Sequence, residues 1–468
     1  MNNRRIIFAA LAASILIFAL FAAYALWFPF ALDYGEGPLA DQARRIAAGE
    51  LLYRPMWSQS PWVINNYPPL YPALTAALGR ASGARFLFAG RLISIFSTVT
   101  SAFLAAAIAR CAWDSRAAGR LAAALFLGNL FVVEWAIVAR VDSLALALSL
   151  AALLILQTRA RSWAWLAAAA ACAVGAIFTR QTFALAMPLT GAVWLWHVDR
   201  KKSIAFVFSV GGACLALFLI FNHYSNSGFY FHTMLANVNH FQWLRVLEFG
   251  GRLVAISGLT LALALATRGL AAPTEFARRA LPVYAAGALL TALTVGKVGS
   301  WHNYFLELVT AIVLFGASAA RDDGRRPTRW LRPLLAAQAA WAALSTVGLM
   351  QWKLSVGWHE RAGYAAIAAE VARAPGPVLA DDAMTMLVAA GRPVLYQPFE
   401  YRQLQTAGLW DPAPIVQDVA AGRFALIVLR WPDAAKCRER WGPEILAAVK
   451  ARYRESIRAG MLVSYVPD

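Results

Sequence analysis

Long apolar runs separated by short polar junctions make up most of this chain, beginning with residues 6–32. A run of about 18 apolar residues or more can cross the hydrocarbon core of a bilayer as a helix. Helices and closed barrels are the structures that satisfy every backbone polar group there. Composition agrees, since 60% of the residues are hydrophobic and 15% charged, where a soluble chain averages about 25% charged. The mean hydropathy is +0.54. The expected fold class is therefore a polytopic α-helical membrane protein.

The formal charge of +18 suggests nucleic acid only until its distribution is read. Basic residues fall in clusters between apolar runs, as cytoplasmic loops require, and no basic face interleaved with aromatics is present. Nucleic-acid binding is excluded. The positive-inside rule orders about eleven spans, near 6–32, 85–109, 119–138, 143–157, 163–178, 182–197, 204–222, 251–267, 281–295, 303–319 and 333–350. Inner loops carry Arg110, Arg116 and Arg120, then Arg159 and Arg161, then Arg200, Lys201 and Lys202. Further along come Arg268, Arg278 and Arg279, and finally Arg321, Arg325, Arg326, Arg329 and Arg332. The short outer junctions carry one cation each, Arg140, Arg180 and Lys297. Arg4 and Arg5 before the first run, with Ala23-Tyr24-Ala25 at its end, resemble a signal peptide. The run exceeds a usual signal core and further spans follow, so an uncleaved first span is expected.

Two domains are expected: residues 1–350 in the membrane, with a large first outer loop at 33–84, and residues 351–468 as a small soluble α/β domain outside it. In the outer loop, Pro38 to Ala48 reads as a helix, with proline in its first turn and Gly49 at its end. Leu39, Ala43, Ile46 and Ala47 share one face, away from Asp41, Arg44 and Arg45, as in a helix lying on a membrane surface. A second helix follows Tyr67-Pro68-Pro69 and runs to Gly79. In the C-terminal part, residues 364–373 read as a helix, and 377–380, 393–396, 424–429 and 461–466 as strands. Cys111, Cys172 and Cys214 lie in or beside apolar runs and Cys437 stands alone in the polar tail, so no disulfide framework or thiolate metal site is expected.

Asp33, Glu36, Arg140, Asp142, Arg180, Gln181, Lys297, His302 and Glu307 all fall at outer ends of spans. Each has an ordinary explanation: helix capping for the acids, pairing of Arg140 with Asp142, or interfacial anchoring for Arg180 and Lys297. Tyr67, Tyr71, Trp301 and Tyr304 fit an aromatic belt, and His302 has no partner at metal-ligand spacing. Acids and cations recurring at one face nevertheless suggest a polar cavity open to the outside, because ionisable groups at that depth need partners or water. Such a cavity suits a sugar carried on a lipid phosphate. Fixed cations stabilise the charge that grows on the phosphate as the sugar leaves, and a carboxylate opposite C1 deprotonates the acceptor hydroxyl. Attack from that side inverts the anomeric centre.

The acidic motif at 33–36, the Tyr67–Pro72 segment, Arg140-Val141-Asp142, Thr179-Arg180-Gln181 and the Lys297–Tyr304 segment before Glu307 stand in an order that resembles the GT-C glycosyltransferases. The likeness is to family-39-like members, related to protein O-mannosyltransferases and the lipid A aminoarabinose transferase. It implies an inverting transferase in a bacterial inner membrane, its active site facing the periplasm, with a polyprenyl-phosphate sugar as donor and a lipid, glycan or protein as acceptor. It also implies a catalytic carboxylate in the first outer loop. Where many members have adjacent Asp-Glu, Asp33 here stands three positions before Glu36, so either is the base, with Asp33 preferred. Asp142 corresponds to a second catalytic acid, and Arg180, Lys297 and His302 to donor-phosphate contacts. Tyr67, Arg140, Gln181, Asn303, Tyr304 and Glu307 complete the expected substrate contacts. No metal-binding residue is assigned, and a divalent cation remains a possible cofactor. A transporter or flippase of lipid-linked sugars is the alternative; it calls for inverted repeats and mid-membrane charges, neither of which is visible.

Overall fold

The structure, a computed structural model, describes residues 3–54, 60–237, 239–267, 272–321 and 331–468. The inner-loop residues Arg268, Arg325, Arg326 and Arg329 lie outside the described residues. Two compact units are present: one of Met1–Leu26, Arg91–Leu217 and His240–Met350, the other of Trp27–Gly90, Phe218–Asn239 and Gln351–Asp468.

In chain order the helices begin with α1 (Asn3–Trp27), α2 (Glu36–Ala47), α3 (Leu70–Ala81), α4 (Phe86–Trp113), α5 (Arg116–Leu127) and α6 (Leu130–Ala136). They continue with α7 (Val141–Arg159), α8 (Trp163–Ile177), α9 (Ala186–Val198), α10 (Arg200–Tyr224) and α11 (Gly228–Thr233). Next come α12 (Trp243–Thr267), α13 (Glu275–Leu293), α14 (Leu306–Gly316) and α15 (Leu331–Arg373). The expected spans coincide largely with helix, but residues 28–32 of the first lie beyond α1, and fewer of the described segments than the eleven expected have the length and hydropathy of a span. Among the described residues, 7 segments are long and apolar enough to cross a membrane, or 8 if the bent pair α5–α6 is one span. The chain is a multi-pass helical membrane protein.

The expected third span is the one that breaks, with a 64° bend between α5 and α6. Gly128 ends α5, and Asn129 caps α6 by accepting from the Phe131 amide at 3.0 Å. The Asn129 amide also donates to Ser257 at 2.9 Å, so the break is pinned from α12. Elsewhere in the first unit the helices meet through small residues. A Cβ on Gly287 of α13 would stand 2.7 Å from the Ala186 Cα of α9. In α10, by contrast, Val207, Phe208 and Leu215 are exposed, as lipid-facing side chains are.

The C-terminal part of the second unit adds β1 (Val378–Ala380), α16 (Met384–Ala389), α17 (Pro398–Thr406), α18 (Ala413–Ala420) and β2 (Leu426–Arg430). After these come α19 (Ala435–Trp441), α20 (Pro443–Arg452), β3 (Tyr453–Ala459) and β4 (Leu462–Pro467). The sheet order is β1-β2-β4-β3, with β1 parallel to β2 and the other pairs antiparallel. Two expectations fail here. Residues 393–396 form no strand but a single bridge, Tyr396 to Trp62. Strand β3 was not expected, because it is an edge strand with most of its side chains in solvent and no alternating apolar face.

The outer loops fold into the same core as the C-terminal sheet. Trp62, Ile64 and Phe231 pack with Leu379, Tyr396, Tyr401, Ile427 and Trp441. Backbone bonds reinforce this: the Trp62 amide donates to Leu395 at 2.8 Å, and the Gln397 amide to Trp62 at 3.0 Å. Helix α2 is also corrected. It is not a surface helix with a solvated polar face, since Asp41 and Arg45 are buried within the fold. Asp41 is paired with Arg44 at 3.0 Å, and Arg45 donates to the Leu51 carbonyl at 2.6 Å.

His232 shows how tightly this unit closes. Its Nδ1 accepts from the Asn65 amide at 3.2 Å and its Nε2 lies 2.9 Å from the Arg54 carbonyl, a pattern that the neutral ring satisfies. Burial lowers its pKa to about 4. The unfolded chain therefore takes up a proton below about pH 6.5 that the folded chain refuses. Its contribution to stability is full above about 6.5 and is lost as pH falls toward 4, by up to about 3 kcal/mol. Thermal unfolding followed from pH 7 to pH 4.5 is expected to show this loss, and His232→Gln to flatten the slope. For the membrane helices, Gly287→Leu is expected to cost about 2 kcal/mol through overpacking against Ala186. Gly211→Ala, whose Cβ meets nothing within 4 Å, is expected to be neutral or slightly stabilising in the same measurement.

Candidate functional site

Three helix ends in the first unit converge on one buried ion pair. Asp142 lies in the first turn of α7, where a carboxylate complements the helix dipole. Arg180 is the extended residue after α8 that opens a short 3₁₀ turn, Gln181–Ala184. Arg180 Nη1 donates to Asp142 Oδ1, and the Asn303 amide donates to the same oxygen at 3.0 Å. Arg140 stands on the other side, its Nε 3.8 Å from Asp142 Oδ2. The Arg180 guanidinium lies 4.3 Å over the Tyr304 ring, a cation–π contact that turns a desolvated charge toward an aromatic face. Both members of the pair are almost fully buried, Asp142 at 0% and Arg180 at 2% exposure. Arg180 Nη2 has no hydrogen-bond partner among the described residues.

Glu307 sits in the first turn of α14, fully buried, with the Ser149 hydroxyl donating to it at 3.4 Å. His302 belongs to a separate cluster. Its Nδ1 is 3.3 Å from Glu134, its Nε2 is 3.4 Å from Arg252, and its ring stacks on Phe131 at 4.5 Å. Lys297 is exposed, in a turn that a bridge to Phe241 holds in place and that Gly299, at φ 86°, makes possible. Gln181 is half-buried beside Arg180 in the chain.

In the second unit the two candidate acids differ sharply. Glu36 is fully buried and accepts from the Leu32 amide at 2.6 Å, which ties the chain entering α2 to its first turn. Asp33 is only half-buried; its Oδ1 accepts from the Gly35 amide at 2.9 Å, and it lines a cavity of about 100 Å³ with Tyr34, Asp382, Arg430 and apolar side chains. Between the acids, Tyr34 is clamped from two sides. Its hydroxyl donates to Glu400 at 2.6 Å and its ring carries the Arg440 guanidinium at 4.2 Å. Burial and the Glu400 charge raise the Tyr34 pKa, so the phenol stays a donor. Arg440 in turn bonds Asp381 at 2.5 Å; burial opposes its charge, but Asp381 and Asp382 outweigh that and raise its pKa. Tyr67 is half-buried and contributes its carbonyl, which accepts from Tyr53 at 2.8 Å.

Of the residues singled out from sequence, Arg140, Asp142, Arg180, Asn303 and Tyr304 meet in one place. Asp33, Glu36 and Tyr67 belong to the other unit. Sequence reading missed Glu134, an acid inside an apolar run whose depth alone marks it as one that needs a partner. It also missed Tyr34, Glu400 and Arg440, whose association no local pattern signals. Among the described residues, no group of three or more His, Cys, Asp or Glu side chains is placed to hold a metal ion.

No family model and no curated protein matches the chain. Solved structures do. ArnT from Cupriavidus metallidurans bound to undecaprenyl phosphate aligns with a TM-score of 0.64 at 14% identity, covering 96% of this chain and 97% of that one. Its apo state aligns with a TM-score of 0.67 at 14% identity over the same shares of both chains. The archaeal oligosaccharyltransferase AglB from Archaeoglobus fulgidus, in complex with an inhibitory peptide and a dolichol-phosphate, gives 0.55 at 12% identity, covering 100% of this chain and 74% of that one. These structures are GT-C glycosyltransferases, and the chain shares their fold.

The buried pair makes a prediction of its own. Arg180→Met leaves Asp142 charged and desolvated, and is expected to cost about 3 kcal/mol. Adding Asp142→Leu is expected to recover part of that stability, which a double-mutant cycle on unfolding temperatures would measure.

Proposed function

We propose that this GT-C-fold chain is a glycosyltransferase that moves a sugar from a polyprenyl-phosphate donor to an acceptor hydroxyl on the outer face of a bacterial inner membrane. The observation that carries the reading is the fold, shared over nearly the whole chain with structures bound to undecaprenyl phosphate and dolichol-phosphate. Asp33 is the base in this reading, because its half-exposed carboxylate lines a cavity whereas Glu36 is fully buried and tied to the Leu32 amide. Asp33 takes the proton of the acceptor hydroxyl as its oxygen attacks C1. The C1–O bond to phosphate breaks from the opposite side, its electron pair leaves with the polyprenyl phosphate, and the anomeric centre inverts.

Cations meet the charge that grows on the leaving phosphate, more strongly in the transition state than in the ground state. Arg180, Lys297 and His302 are the proposed contacts. Lys297 is the exposed one and makes no ion pair among the described residues. Asp142 Oδ1 takes both Arg180 and Asn303, while Oδ2 has no hydrogen-bond partner among the described residues, so in this reading Asp142 holds Arg180 in place and keeps one oxygen free for the second catalytic acid's role. Arg140, Gln181, Asn303, Tyr304, Glu307 and Tyr67 shape the surroundings of these groups.

Mass spectrometry of lipid co-purifying with the protein is expected to find a polyprenyl-phosphate sugar. In membranes supplied with that lipid, Asp33→Asn is expected to insert normally and lose transfer by about a hundredfold or more. Glu36→Gln is expected to reduce folded yield rather than turnover per folded molecule. A chain that binds the lipid but turns it over equally with and without Asp33 would refute the transferase assignment.

A further inference from the structure

The ends of these helices opposite Asp142 and Arg180 carry a second cavity. It has a volume of about 730 Å³ and lies where α7 turns into α8, beside the end of α9 and the start of α13. At about 1.5 Å of rise per residue it stands roughly 26 Å along α7 from Asp142, close to the thickness of a bilayer core. Its volume falls within the range of small-molecule sites.

Its charge is unbalanced. Arg159, Arg161, His197 and Arg279 line it against one carboxylate, Glu275. That carboxylate is already shared, pairing with Arg278 and with Arg279 at 2.6 Å. The nearby acid Asp199 faces Lys202 at 3.9 Å. Arg159 lies 6.0 Å over Trp165, and neither it nor Arg161 makes an ion pair among the described residues. Two guanidinium groups at one opening thus lack an anion.

Trp194 lines the cavity, and the indoles near its lining residues in the chain indicate which kind of anion fits. Trp163, Trp165 and Trp196 are about half exposed. Lys202 lies 5.4 Å over Trp163 and Arg200 5.1 Å over Trp196. Exposed indoles beside cations at helix ends are the composition of the membrane–water interface, where an acyl chain meets its phosphate. We propose that this cavity binds the phosphate headgroup of an anionic phospholipid in the leaflet opposite the transfer reaction. Arg159 and Arg161 supply the charge, and the indoles lie along the glycerol and upper acyl chains.

The test uses the full chain, delipidated in neutral detergent and offered phosphatidylglycerol or phosphatidylcholine, with retained lipid read by native mass spectrometry. Phosphatidylglycerol is expected to be retained in preference. The double variant Arg159→Gln/Arg161→Gln is expected to weaken that retention about tenfold or more, and Arg159→Lys/Arg161→Lys to preserve it. Arg120→Gln removes a cation that faces Phe8 and does not line the cavity, and it is expected to change nothing. Equal retention of the two lipids, or equal loss in the Arg120 variant, overturns the assignment. So does inorganic phosphate displacing phosphatidylglycerol at millimolar concentration, which would make this a free-anion site. Failure here leaves the transferase reading untouched, because no residue of this cavity takes part in it.

Discussion

A desolvated charge must be answered by another charge or by a dense set of hydrogen bonds, and that requirement organises the polar interior of this protein. In the first unit the answer is Asp142 with Arg180, joined by Asn303 and backed by Tyr304. The pair fixes the start of α7 and the end of α8 together with the segment that leads into α14. Three stretches of sequence far apart in the chain therefore share one position. A buried ion pair is weak evidence for net stability, since hydrophobic replacements of both members often do as well. Its value here is geometric, because Arg180 cannot move without stranding Asp142.

The same rule separates the two acids of the first outer loop. Glu36 is buried and occupied by the Leu32 amide, so its charge serves the local chain path. Asp33 is half-buried and lines a cavity instead. Tyr34 connects that loop to the C-terminal part through Glu400 and Arg440. The C-terminal sheet thus belongs to the same core as the loop, and shapes it, whatever else it binds.

Helices α7 and α8 separate two kinds of polar surface. One end of α7 and α8 holds acids matched to cations, and the other end holds cations in excess. Excess cations suit a permanent anionic surface. The charge asymmetry underlying the positive-inside rule is thus visible within these two helices.

The sequence alone settled the parts of this protein that depend on length and period. Apolar runs placed the long membrane helices, because a helix in lipid needs only its own backbone partners and a fixed length of apolar residues; of about eleven expected spans, 7 or 8 have that length and hydropathy among the described residues. The order of short polar motifs led to the GT-C fold. Strands β1, β2 and β4 were legible as apolar runs, whereas the exposed edge strand β3 carried no such signal. The break at Gly128-Asn129, the burial of Asp41 and Arg45, and the partnership of Tyr34 with Glu400 were decided only in three dimensions. So was the choice of Arg180 over Arg140 as the close partner of Asp142. The reason is that an ionisable residue announces its need for a partner locally, while the identity of that partner depends on which distant segment the packing brings within about 3 Å.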